Sequence, residues 1–104
     1  MRRHCQCAYL KDNMIEEYRR LHAAVWPSVL KANGEANIHN YSIAIFGNMV
    51  IAYFEYDGED YASDMRRLAQ NRDMQEWWKH TRPCFLHHEE GVYYEDLEEI
   101  FYFK

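Results

Sequence analysis

The stretch IHNYSIAIFGNMVIAYFEY, residues 38–56, decides the fold. Two runs rich in β-branched and aromatic residues flank the pair Gly47-Asn48, and glycine supplies the positive φ that a tight hairpin turn demands. The segment therefore predicts two antiparallel strands, residues 38–46 and 49–56. Period-two alternation places His39, Tyr41, Ile43 and Ile45 on one face of the first.

Towards the N-terminus, HCQCAYL (residues 4–10) alternates Cys5, Cys7 and Tyr9 against His4, Gln6, Ala8 and Leu10, which predicts a first strand. Between it and the hairpin, Ile15, Tyr18, Leu21, His22, Val25 and Val29 recur at three and four spacing. They predict a helix capped by Asp12 or Asn13 and ending near Asn33-Gly34. Pro27 lacks a backbone donor, so the helix is expected to kink or break there, with Pro27 opening a new first turn.

Towards the C-terminus, residues 60–70 predict a helix with Ala62, Met65, Leu68 and Ala69 inward, and residues 73–80 a shorter one carrying Trp77 and Trp78. Arg82-Pro83 ends it, HHEEG is loop-like, and LEEIFYFK (residues 97–104) reads as a final strand. The order is β-α-β-β-α-β, an α+β class of ferredoxin-like type in a single domain of residues 1–104. Helices cover one face of such a sheet. The other needs a partner, and in a chain this small a second copy is the economical one, so a homodimer is expected.

Composition narrows the function. Twelve basic against seventeen acidic side chains give a formal net charge of −5, and the basic residues cluster only as pairs such as Arg19-Arg20. No nucleic acid is expected as partner. No apolar run approaches the ~18 residues of a membrane span, and MRRHCQCAYLKDN has no apolar stretch of signal-peptide length, so the expected location is cytoplasmic. Three cysteines fit a reduced state without structural disulfides. Nine Tyr, five Phe and three Trp exceed what so small a core needs, which points to an aromatic pocket for a polar ligand.

The segment EEYRRLHAAVWP, residues 16–27, sets Tyr18, His22 and Trp26 at i, i+4 and i+8 on one helix face. A lone histidine there is ordinarily a core residue bonded to a carbonyl; chemistry requires company. If the helix packs on the hairpin, Tyr41 joins it, and phenols, imidazole and indoles converge. That set fits a sugar, whose hydroxyls need directional donors and acceptors and whose C–H faces need flat apolar surfaces. Trp77 and Trp78 are about 100° apart on a helix, so one can be core while the other lines the site. Cys5, Cys7, Cys84, His87 and His88 offer metal donors but no C-x2-C knuckle, so no metal site is expected. Neither a Gly-rich phosphate loop nor a nucleophile elbow occurs, and no cofactor is expected.

Taken together, Y-x3-H-x3-W-P, then N-Y, the strand YFEY, the pair W-W and the closing EEIFYFK resemble the L-rhamnose mutarotase family over nearly the whole chain. The segment CFLHHEEGVYYEDL departs from that pattern. The resemblance implies a dimeric α+β barrel acting on L-rhamnose or a related 6-deoxy sugar without a cofactor. It implies that His22 transfers the proton, that Tyr18 and Tyr41 bind substrate, and that Trp77 and Trp78 contact it. Exchanging anomers requires a proton to leave the C1 hydroxyl and one to reach the ring oxygen. A histidine of pKa about 6.5 can do both near neutrality. The rivals are a small monooxygenase or haem-degrading protein on the same architecture, and a sugar-binding module without turnover.

Overall fold

A computed structural model describes residues 1–86 and 93–104. The elements run β1 (Arg2–Tyr9), α1 (Ile15–His22), α2 (Pro27–Glu35), β2 (Ile38–Phe46), β3 (Met49–Tyr56), α3 (Tyr61–Ala69), α4 (Arg72–Thr81) and β4 (Glu95–Asp96). The four strands form one antiparallel sheet in the order β2-β3-β1-β4, the ferredoxin-like arrangement that the element order predicts. Strand β3 alternates cleanly: Val50, Ala52, Phe54 and Tyr56 are buried beneath the helices. Against them pack Leu21, Val29, Leu68, Met74 and Trp77, so the core lies between the helices and one face of the sheet.

The hairpin turns at Gly47, whose φ is 61°, and Phe46 pairs with Met49 across it. Its alternation is interrupted further back. His39 pairs with Glu55 and Ser42 with Tyr53, so a bulge inserts one residue, and Asn40 takes a left-handed φ of 50°. An extra residue reverses which side chains face inward. His39 therefore lies on the outer face, bonded to Asp57 at 3.0 Å, whereas Ile43 and Ile45, opposite Ala52 and Val50, face the helices. The expectation that all four residues share a face is corrected for His39.

The helix does break at proline: α1 ends at His22, Trp26 is extended, and Pro27 is the first residue of α2. Asp12 and Asn13 do not cap α1. They lie in a short 3₁₀ turn, and Met14 precedes α1 with no side-chain cap. Side-chain caps occur instead on α3, where Asp60 accepts from the Ser63 amide, and on α4, where Asn71 accepts from that of Met74.

Helix α3 is rotated from its expected setting. Leu68 is buried and Met65 half-buried, but Ala62 and Ala69 are exposed, and Asp64 is buried in their place. The Asp64 carboxylate accepts from the Tyr56 hydroxyl, from Asn37 Nδ2 at 3.0 Å and from Arg67 at 3.0 Å. A fully partnered carboxylate outweighs the small gain of burying two methyl groups. Gly58 lies against this cluster, where any Cβ would sit 2.6 Å from Asp64 Oδ2.

The C-terminal strand is the largest correction. Strand β4 spans only Glu95–Asp96, opposite Cys7 and Gln6, and residues 97–104 form no strand. After the Leu97 amide bonds the Cys5 carbonyl at 2.8 Å, the tail has no further ladder, and side chains hold it instead. Arg3 pairs with Glu99 at 2.6 Å and lies over the Tyr102 ring at 3.4 Å. Ile100, Phe101 and Phe103 remain 79–89 % exposed. The HHEEG loop lies outside the described residues.

Candidate functional site

Helix α1 places Tyr18 and His22 one turn apart with ring centroids at 4.2 Å. His22 Nδ1 lies 2.9 Å from the Tyr18 carbonyl oxygen. A carbonyl only accepts, so Nδ1 carries the proton and Nε2 of the neutral ring is left with its lone pair. The carbonyl bond of an ordinary core histidine is thus present, yet it occupies one nitrogen and fixes the other as a base. Burial is the main influence on this half-buried ring and lowers its pKa below 6.5, against the smaller opposing effect of the carbonyl bond.

The other walls come from β2 and α4. Tyr41 stacks on Phe54 at 5.5 Å; part of its ring is open to solvent. Trp77 is buried with its ring edge-to-face to His22 at 5.4 Å, while Trp78 is half-buried beneath the Arg82 guanidinium at 4.5 Å. Tyr18, His22, Tyr41, Trp77 and Trp78 together line a cavity of about 200 Å³. An adjoining cleft of about 780 Å³ shares all of these but Tyr18 and is walled by Val25, Val29, Met65, Leu68 and Met74. Elements distant in sequence thus bring the five residues to one place.

Trp26 is not among them. Because α1 ends at His22, the projection from Tyr18 to i+8 fails, and Trp26 packs edge-on against Trp77 at 5.3 Å and His80 at 5.6 Å. Five lining residues were not legible in the sequence: Thr81, Arg82, Phe85, Tyr93 and Tyr94. The Tyr94 hydroxyl lies 2.6 Å from that of Tyr18, 76 residues away, and no local periodicity encodes such a pair. Burial is the leading cause that raises the pKa of Tyr18, Tyr41 and Tyr94, so all three phenols stay protonated at neutral pH.

The cysteines do not converge. Cys5 and Cys7, opposite Tyr53 and Ile51, are on the outer face of the sheet, whereas Cys84 is fully buried and lies 3.7 Å from the His80 carbonyl. Among the described residues no three His, Cys, Asp or Glu side chains are placed to hold a metal; His87 and His88 lie outside them. No helix among them is long and apolar enough to cross a membrane. The smaller cavity combines one unprotonated nitrogen, phenol donors and aromatic faces, with Arg82 the only charged lining group among the described residues. Chemically it suits a neutral polyol and the movement of a proton.

The chain is similar to known proteins along nearly its whole length. The sequence profile described as L-rhamnose mutarotase matches residues 3–103. The L-rhamnose mutarotase of Bacillus subtilis (strain 168) is 28% identical, with 98% of each chain covered. That of Listeria monocytogenes serotype 4b (strain F2365) is 32% identical over the same share. The crystal structure of an L-rhamnose mutarotase from Formosa agariphila superposes with a TM-score of 0.81 at 21% identity, covering 100% of both chains.

Proposed function

The chain belongs to the L-rhamnose mutarotase family, and on that premise we propose that it interconverts the α and β anomers of L-rhamnose or a related 6-deoxy sugar with His22 as general acid and base. One observation carries the reading: Nδ1 of His22 is tied to the Tyr18 carbonyl while the ring lines a cavity of about 200 Å³ walled by tyrosines and tryptophans. Nε2 takes the proton of the C1 hydroxyl, the C1–O5 bond opens, and rotation about C1–C2 presents the other face before reclosure. Tyr18 and Tyr41 bond the sugar hydroxyls, while Trp77 and Trp78 cover its C–H faces. Ile43 on the cavity wall suits the methyl group of a 6-deoxy sugar.

NMR saturation transfer between anomeric resonances tests this directly, on a panel of L-rhamnose, L-fucose and D-sugars. Exchange of L-rhamnose above the spontaneous rate is expected; binding without exchange would make the protein a sugar-binding module instead. The pH profile follows from the tautomer. The base is active when unprotonated, and its pKa is lowered, so the rate stays level across neutrality and declines only as pH falls below 6.5. A decline centred above 6.5 would contradict His22 as the base.

The quaternary expectation has its own support. Phe46 is 83 % exposed on β2, and Ile100, Phe101 and Phe103 are exposed on the tail. So many large apolar side chains on a small chain mark a contact surface. A homodimer that covers the outer face of the sheet is expected, with sedimentation reporting about twice the 12.7 kDa chain mass. A stable monomer at micromolar concentration would remove it.

A further inference from the structure

Opening a pyranose moves more than one proton's worth of charge. When Nε2 of His22 removes the proton from O1, the O1 electrons form the aldehyde carbonyl and the C1–O5 bond breaks with its electron pair on O5. O5 is then an alkoxide and needs a donor until a proton reaches it. His22 supplies that proton, because O1 and O5 share C1 and the imidazolium can return to O5 what it took from O1. The donor has to come from another part of the wall.

Beside Arg82 and Tyr41, the described wall offers a coupled pair of hydroxyls for this task. The Tyr18 and Tyr94 hydroxyls are 2.6 Å apart in the cavity that His22 lines, and neither has another hydrogen bond among the described residues. A pair of hydroxyls has two protons and uses one between them, so with Tyr94 donating to Tyr18 the Tyr18 proton remains free. Both rings stand edge-on to Phe85, at 5.5 Å for Tyr18 and 5.3 Å for Tyr94, and Phe85 is buried. The pair is therefore held from behind.

We infer that Tyr94 is a positioning residue of this active site: by donating its hydrogen bond it orients and polarises the Tyr18 hydroxyl, whose free proton holds O5 as the ring opens. This rests on the mutarotase reading and extends it to a residue outside the five that the sequence places in the site. Burial keeps both phenols protonated, so the pair donates a hydrogen bond without ionising, and the proton taken from O1 is the one returned to O5. Nothing is consumed, and reclosure runs the same steps backwards.

Tyr94→Phe removes the hydroxyl and keeps the ring on Phe85. Anomer exchange at saturating L-rhamnose should fall roughly tenfold, while the half-saturating sugar concentration changes less than about threefold, because the lost interaction strengthens only as charge develops on O5. Tyr18→Phe should fall further. The double variant should be no slower than Tyr18→Phe alone, since Tyr94 acts through Tyr18. Matching circular dichroism and melting temperature exclude a loss of fold as the cause. A Tyr94→Phe protein exchanging at the wild-type rate, a defect confined to the half-saturating concentration, or single effects that multiply in the double variant would each overturn the inference and leave the mutarotase reading standing. A wild-type protein that exchanges no sugar overturns both.

Discussion

His22→Ala is expected to exchange anomers slower than the wild type by roughly two to four orders of magnitude, the span of a positioned general acid–base group. The half-saturating sugar concentration should move far less, because the tyrosines and tryptophans that line the cavity are untouched. His22 has a single described hydrogen bond, to the carbonyl of its own helix, so its removal leaves no distant buried group without a partner. The ring's contacts with Tyr18 and Trp77 are lost, at a modest cost in stability that circular dichroism would register. A folded variant that exchanges at the wild-type rate would return the imidazole to a purely structural role.

Trp77→Ala should show its largest effect on stability instead. Trp77 is 5 % exposed, lies against both His22 and Trp26, and belongs to the core cluster with Val29, Leu68 and Met74. Truncating a buried tryptophan typically costs about 3–5 kcal/mol, a large share of the ~5–15 kcal/mol that holds a domain together. Denaturant unfolding should show the midpoint fall accordingly. Trp78→Ala offers the contrast. Its half-buried ring stacks under Arg82 and lines the cavity, so the fold should survive and the half-saturating sugar concentration should rise roughly three- to tenfold, the worth of one stacking contact. If Trp77→Ala were as stable as Trp78→Ala, the division of the pair into core and wall would be wrong.

That division shows how legible the site was. Adjacency in sequence already required Trp77 and Trp78 to point about 100° apart. Which of them faced inward depended on how α4 docks on α2 and α1, and that is not written in RDMQEWWKHT. Tyr18 and His22 were readable because both belong to one unbroken helix, where spacing fixes direction. Trp26 was misplaced by the same rule, since the chain leaves α1 after His22 and the spacing then carries no directional information. His39 was misplaced because alternation holds only until an extra residue enters a strand, and the bulge is defined by its pairing with β3.

What the sequence by itself determined is what neighbouring residues dictate to each other: the Gly47 hairpin, the helix broken at Pro27, the element order of an α+β ferredoxin-like domain, and the family to which its motifs point. These follow from backbone preferences and from periodicities of two and 3.6. The tertiary structure decided the rest. It rotated α3 to bury Asp64 among Tyr56, Asn37 and Arg67, left the tail beyond Leu97 without a ladder, and brought Tyr94 to Tyr18 across 76 residues. Each outcome depends on a partner far along the chain, and a contact of that kind leaves no periodic mark on the sequence around either residue. The tautomer of His22 divides between sequence and tertiary structure: the Tyr18 carbonyl that engages one nitrogen lies one turn back on the same helix, whereas the packing of β2 and α4 around the ring forms the cavity it lines.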